Sequence, residues 1–287
     1  SLEKLADFQA RLLPEVELEG LVCGNLMESE AREMLATLQR AVPASPLPAA
    51  ASPRRRVVQL PVGARTRQHV ASNPQEENSA VDVHFQVGRD DGGMTWRLLG
   101  LFSQLVDTPF YAELRTRQQL GYIVGSSISE SEGVRGLVFS VQSSALPPPE
   151  LEARVDGFLR GFRATLAAMP EAELSAYREA LAVQVSDVDK RLAQQAGRFW
   201  GEVAMRRYDY DRPWRLAAQV RTITRAQLLA FFDTYLAPEG AQRRRLATHV
   251  YSRKAAPRGP LKLDALSEVA GAEPLYYPPP TPGRIPV

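Results

Sequence analysis

An α+β fold, with helices packed on one face of a mostly antiparallel sheet, is the class this sequence predicts, and three observations predict it. Val81, Val83, Phe85 and Val87 alternate with polar residues, the period of a half-buried strand. From Pro148 to Leu236 the apolar spacing is helical almost throughout, and strand character returns at 246–251. Strands grouped first, helices grouped after them and one late strand are the order of an α+β layer.

Residues 1–42 read as a strand and then a helix, the end of a preceding α+β domain. Val16, Leu18, Leu21 and Val22 precede Gly24-Asn25, and Ala31, Met34, Leu35, Leu38 and Val42 recur at helical spacing. One strand and one helix bury too little apolar surface to stand alone, so the rest of that domain is expected on further polypeptide. Residues 43–53, rich in proline and alanine, form the expected linker.

The C-terminal domain is expected over 54–254. It starts with a short strand at 56–60, followed by the alternating strand of Val81 to Val87, which Gly92-Gly93 ends. Leu98, Leu99, Leu101, Phe102, Leu105 and Val106 mark an amphipathic helix that 107–109 interrupts, with a further turn from Phe110. Strands at 121–129 and 134–143 flank Glu130-Ser131-Glu132-Gly133, which suits a hairpin loop and predicts antiparallel pairing. Leu151, Val155, Phe158, Leu159, Phe162 and Leu166 stripe a helix that stops at Pro170, and another starts near Glu171. Breaks at 208–213 and 222–224 divide what remains, with Thr224-x-x-Gln227 a capping box. Residues 255–287, including Pro278-Pro279-Pro280, read as an extended tail.

The balance of charge limits the partners. With 35 basic and 33 acidic side chains the formal charge is +2, so no long-range field points to nucleic acid or a membrane surface. No apolar run approaches the ~20 residues of a membrane span. Cys23, the single cysteine, excludes an internal disulfide and suits a reducing compartment, the cytoplasm or an organelle matrix. The amino end lacks both an initiator Met and a signal-peptide pattern, and the chain is expected to come from a longer protein.

Chemistry is sparse. Neither H-E-x-x-H nor H-x-x-E-H occurs, and His69, His84 and His249 are isolated from one another, so no metal is expected on this chain. Asp82 and His84 share a strand face, which supplies two ligands where a structural site uses four, and a polar sheet face is the preferred reading. Gly125-Ser126-Ser127-Ile128-Ser129 lacks the closing glycine of a nucleophile elbow, and no phosphate-cradling glycine loop is present. Cys23 reads as a buried structural thiol at a strand end. Arg54-Arg55-Arg56 and Arg243-Arg244-Arg245 read as solvated arginines beside strands.

The segment from Pro109 to Val124, which contains Leu114-Arg115-Thr116 and Gln119-Leu120-Gly121-Tyr122, resembles the signature of the second half of the insulysin/pitrilysin zinc metallopeptidases. Phe199-Trp200-Gly201-Glu202-Val203 and Tyr208-Asp209-Tyr210-Asp211-Arg212 resemble that family's later motifs, and Leu21-Val22-Cys23-Gly24-Asn25 is similar to its strand ending in Gly-Asn. The resemblance implies a non-zinc-binding C-terminal portion of an endopeptidase that degrades peptides in a closed chamber. Zinc is then expected on the N-terminal half, supplied by the same or another chain, so this chain alone is expected to be inactive. Arg115 and Tyr122 match the arginine and tyrosine that contact bound peptide, with Tyr122 assisting at the scissile region. The residue types suit those roles, since a guanidinium is a fixed fork of donors and a phenol donates to an oxyanion. On the residues alone, the preferred reading makes Arg115 a helix-end cation and Tyr122 a half-buried strand residue; Gly121 reads as a turn position needing unusual dihedrals. An inactive scaffold or peptide-binding subunit, of the processing-peptidase or respiratory core-protein type, is the alternative function.

Overall fold

The computed structural model describes every residue except 43, 49–50, 52–55, 90–93, 258, 262–275 and 277–287. Part of the expected linker, Arg54-Arg55, Gly92-Gly93 and most of the proline tail therefore lie outside the described residues. The chain divides into two compact units, one of 1–55, 188–210 and 281–287, the other of 56–187 and 211–280.

In the first unit, α1 (Leu2–Leu12) starts at Ser1, whose side chain accepts from the backbone N–H of Lys4. β1 (Glu15–Val16) pairs in parallel with β2 (Ser45–Pro46), and α2 (Glu28–Ala41) lies between them in sequence. The strand expected through Val22 is thus two residues long, because only two residues of β2 are there to pair with it. α1 was not anticipated, although Leu2, Leu5, Phe8 and Leu12 follow helical spacing. Their side chains are exposed, as are Met34, Leu35 and Leu38 of α2, so these helices present apolar faces to solvent. Cys23 is half-buried outside any strand, its Sγ 3.9 Å from Gln195 Oε1 of α6 (Leu192–Ala204). After α6, Arg206 pairs with Glu17 at 2.6 Å and the Tyr208 hydroxyl donates to Glu19 at 2.5 Å. Burial and that carboxylate push the Tyr208 pKa up to about 12.

The second unit is a five-stranded sheet in the order β3-β7-β4-β6-β5. β3 (Gly63–Val70) runs parallel to β7 (Arg244–Tyr251), and β4 (Ser79–Arg89), β6 (Val134–Ser143) and β5 (Val124–Ser131) continue antiparallel. The β5–β6 turn has Glu132 and Gly133 both at positive φ, 46° and 76°, as a two-residue hairpin of right-handed twist requires. β3 is an edge strand with few apolar residues, which is why alternation does not reveal it. The expected strand at 56–60 is reduced to one bridge, Val58 to Tyr276.

One sheet face carries Val81, Val83, Phe85, Leu137, Phe139 and Val141, all but excluded from solvent. Onto it pack α3 (Thr95–Tyr111), α4 (Pro148–Ala168) and α8 (Arg225–Tyr235), backed by α5 (Glu171–Val185) and α7 (Arg212–Arg221). Phe102 meets Phe162 edge-on at 5.7 Å and Phe110 meets Phe139 at 4.9 Å, contacts worth about 1 kcal/mol each beyond burial. The capping box is present: Thr224 Oγ1 accepts from Gln227 N at 3.2 Å, and Gln227 Oε1 accepts from Thr224 N at 2.8 Å. Thr224→Ala is expected to lower unfolding stability by about 1 kcal/mol, read as a shift of the urea midpoint at constant slope. Among the described residues no helix is long and apolar enough to cross a membrane.

Candidate functional site

The site is built where α3 hands the chain to β5. α3 does not stop at 107–109: it continues through Pro109 to Tyr111 and then widens into a π-helix, Ala112–Arg117. Proline removes the N–H that would bond the Leu105 carbonyl one turn back, and past it the Ala112 N–H is shared between the Thr108 and Pro109 carbonyls. Wider turns follow, with Gln118 N donating to Glu113 O at 2.9 Å and Leu120 N to Leu114 O at 3.1 Å. Leu114, wholly buried, anchors the segment in the core.

Gln119, at φ 52°, reverses the chain in the left-handed region, an arrangement that costs a non-glycine residue about 1–3 kcal/mol and that recurs at functional corners. Gly121 serves a different purpose from the one its position suggested. Its φ is not left-handed, but a Cβ there would lie 1.8 Å from the Gln142 carbonyl oxygen and 2.9 Å from its carbon. The glycine lets the corner lie against β6, where Gln142 N donates to Ile123 O at 2.8 Å.

The same corner brings Arg115 and Tyr122 together. The Arg115 guanidinium carbon is 5.9 Å from the centre of the Tyr122 ring, within cation–π range. Tyr122 precedes β5 by two residues and is 87% exposed, so it is not a half-buried strand residue. Arg115 is half-buried in the last turn of the π-helix, and its Nε is buried without a hydrogen-bond partner among the described residues. By contrast Glu113 engages its neighbours, Arg117 at 2.7 Å and Gln118 Nε2 at 2.9 Å. Arg115 Nε is closed to solvent, so what the corner presents outward is the exposed Tyr122 phenol, a donor to carbonyl oxygens or to developing negative charge. A groove of about 830 Å³ opens nearby between the π-helix and α4, lined by Glu113, Arg117, Gln118, Arg154 and Phe158 among others; neither Arg115 nor Tyr122 lines it.

The sheet face opposite the helices carries Asp82 and His84. Ser140 Oγ donates to Asp82 at 2.5 Å, and His84 Nε2 is hydrogen bonded to Ser129 Oγ at 2.9 Å. Gly136 makes the second contact feasible, because a Cβ there would lie 2.4 Å from His84 Nε2; the ring crosses β6 to reach β5. Burial pushes the His84 pKa down, with Asp82 opposing, so the ring is neutral at pH 7.

Arg243 and Arg245 are not solvated. Arg245 is 3% exposed and pairs with Glu152 and Asp156 of α4, and Glu152 also bonds His249 Nε2 at 2.6 Å. Arg243 lies over the Phe85 ring, its pKa depressed by burial and by Arg245. Burial alone would raise the Glu152 pKa, but the His249 hydrogen bond and Arg245 outweigh it and hold the carboxyl below its ordinary value. This buried network was missed in the sequence. The available signal was the spacing of Glu152 and Asp156, four apart beside the apolar stripe of α4, opposite Arg245 and His249 on alternate β7 positions.

Residues 101–200 match the family described as PQQ synthase PqqF-like, C-terminal lobe domain 4. The chain is 30% identical over 258 residues to the insulin-degrading enzyme of Homo sapiens, covering 88% of this chain and 25% of that protein. It thus spans about a quarter of the length of the curated relatives it matches. Among solved structures, pitrilysin superposes with a TM-score of 0.67 at 23% identity, over 79% of this chain and 23% of the other. A peptidase M16 inactive domain from Pseudomonas fluorescens superposes at 0.55 with 15% identity, over 83% and 53%.

Proposed function

Because this chain belongs to the insulysin/pitrilysin family and carries the sequence of its C-terminal half, we propose that it is the substrate-gripping, non-zinc-binding part of a zinc metalloendopeptidase that degrades peptides in a closed chamber. The observation that supports this most is the Arg115–Tyr122 corner, an exposed phenol held 5.9 Å from a guanidinium carbon. Arg115 donates to peptide carbonyl oxygens and Tyr122 to the oxygen that gains charge as the bond is broken.

Among the described residues no three His, Cys, Asp or Glu side chains converge. His84 and His249 occupy opposite faces of the sheet, each already hydrogen bonded. The proposal assigns the metal, its ligands and the general base to an N-terminal half outside this chain.

The test is turnover of a fluorogenic peptide by this chain with and without its zinc-bearing half. No turnover is expected from the chain alone. In the reconstituted enzyme Tyr122→Phe is expected to lower kcat about 10²-fold, the cost of one lost oxyanion donor. Unchanged kcat in that variant removes the catalytic role of Tyr122. The second reading, an inactive peptidase-like scaffold, is favoured by the likeness to a structure described as an inactive M16 domain. It predicts peptide binding that depends on Arg115 with no turnover in any reconstitution.

A further inference from the structure

The edge strand β3 is a basic stripe in a chain of nearly balanced charge. From Arg56 to Gln75 there is no aspartate or glutamate, while arginine occurs at 56, 65 and 67 and histidine at 69. The register of β3 on β7 sets Arg65, Arg67 and His69 beside Leu246, Thr248 and Val250, on the face opposite the helices. Arg65 and Arg67 are exposed. The acid in the same row, Asp82, is two strands away and accepts from Ser140.

β3 also has an unused edge. Its eight residues pair with β7 on one side, and among the described residues no strand pairs on the other. That edge is ~26 Å of backbone donors and acceptors. A guanidinium at alternate positions guards it against a second copy: in an antiparallel pair centred on Thr66, Arg65 of one copy would face Arg67 of the other, and like charges directly opposite repel. The same spacing matches carboxylates on every second residue of an added strand.

We propose that the free edge of β3 is a docking site for an extended acidic peptide segment, which adds as a sixth strand and pairs alternate Asp or Glu side chains with Arg65 and Arg67. It goes beyond the function proposed above, since it needs neither zinc nor the Arg115–Tyr122 corner. β3 and β5 are the two outer strands of the sheet, ~19 Å apart at the usual spacing.

The test uses a labelled, end-blocked octapeptide alternating Thr and Glu, titrated by fluorescence anisotropy against the full chain. Binding is expected, weakening as salt is raised. Arg65→Glu combined with Arg67→Glu is expected to lower affinity about tenfold or more, because two attractive cross-strand pairs become repulsive. The thermal unfolding midpoint of that variant serves as the check on folding, and Arg65→Gln with Arg67→Gln, which reverses no charge, is the second variant if it shifts. A peptide N-methylated on every backbone amide is expected to lose affinity comparably, which a purely electrostatic contact would not. Equal binding of the wild-type and Arg-substituted chains, equal binding of the N-methylated peptide, or no binding of the acidic peptide each overturns the proposal.

Discussion

Gly121→Ala is expected to destabilise the second unit by about 3 kcal/mol or more, at the top of the range for overpacking. A methyl 1.8 Å from the Gln142 carbonyl oxygen meets backbone, not the movable end of a side chain, so either the corner or β6 must shift. The shift would fall on the bond from Gln142 N to Ile123 O and on the placement of Tyr122. Gly125, four residues on, is the control: nothing lies within 4 Å of a Cβ built there, so Gly125→Ala is expected to change stability by no more than about 0.5 kcal/mol. Urea midpoints of the two variants decide the matter. Equal midpoints would mean that the corner is not held by contact with β6.

Glu152→Gln is expected to cost about 2–3 kcal/mol, because it leaves Arg245 buried with one carboxylate partner in place of two and weakens the support of His249. The effect depends on pH in a definite sense. The folded-state pKa of Glu152 lies below its ordinary value of 4.5, so its contribution is complete above that value and is lost as pH falls through the folded pKa. Chemical denaturation from pH 7 to pH 3 should show the wild-type advantage over the variant shrinking below pH ~4.5. Replacing both, Glu152→Leu with Arg245→Met, is expected to recover only part of the loss, since it leaves buried His249 without its carboxylate partner. A constant difference at all pH values would show that the effect comes from shape and not from charge.

The layered fold was legible because its evidence is periodic. Val81 to Val87 alternate, α4 shows a continuous stripe, and Thr224 with Gln227 announces a helix start, each a local pattern with one physical reading. What stayed hidden was decided by neighbours far off in sequence. β3 exists because β7 pairs with it, and Gly121 is glycine because Gln142 passes beneath it. The candidate site shows the same division. Arg115 and Tyr122 were singled out by motif, but their facing arrangement follows from the π-helix and the positive φ of Gln119, which leave no periodic trace. Arg245 and His249 were misjudged or passed over for a related reason, because a charged residue at a core position looks solvated until its acidic partners on α4 are in place.

The His84 ring lying over Gly136 has a mechanical consequence. It straps β4 to β5 across the strand between them, so the strand that follows Tyr122 cannot slide or tilt without breaking a side-chain bond as well as its own ladder. A strand pinned in this way has little motion left to surrender when a ligand arrives beside it, and so it forfeits less entropy on binding.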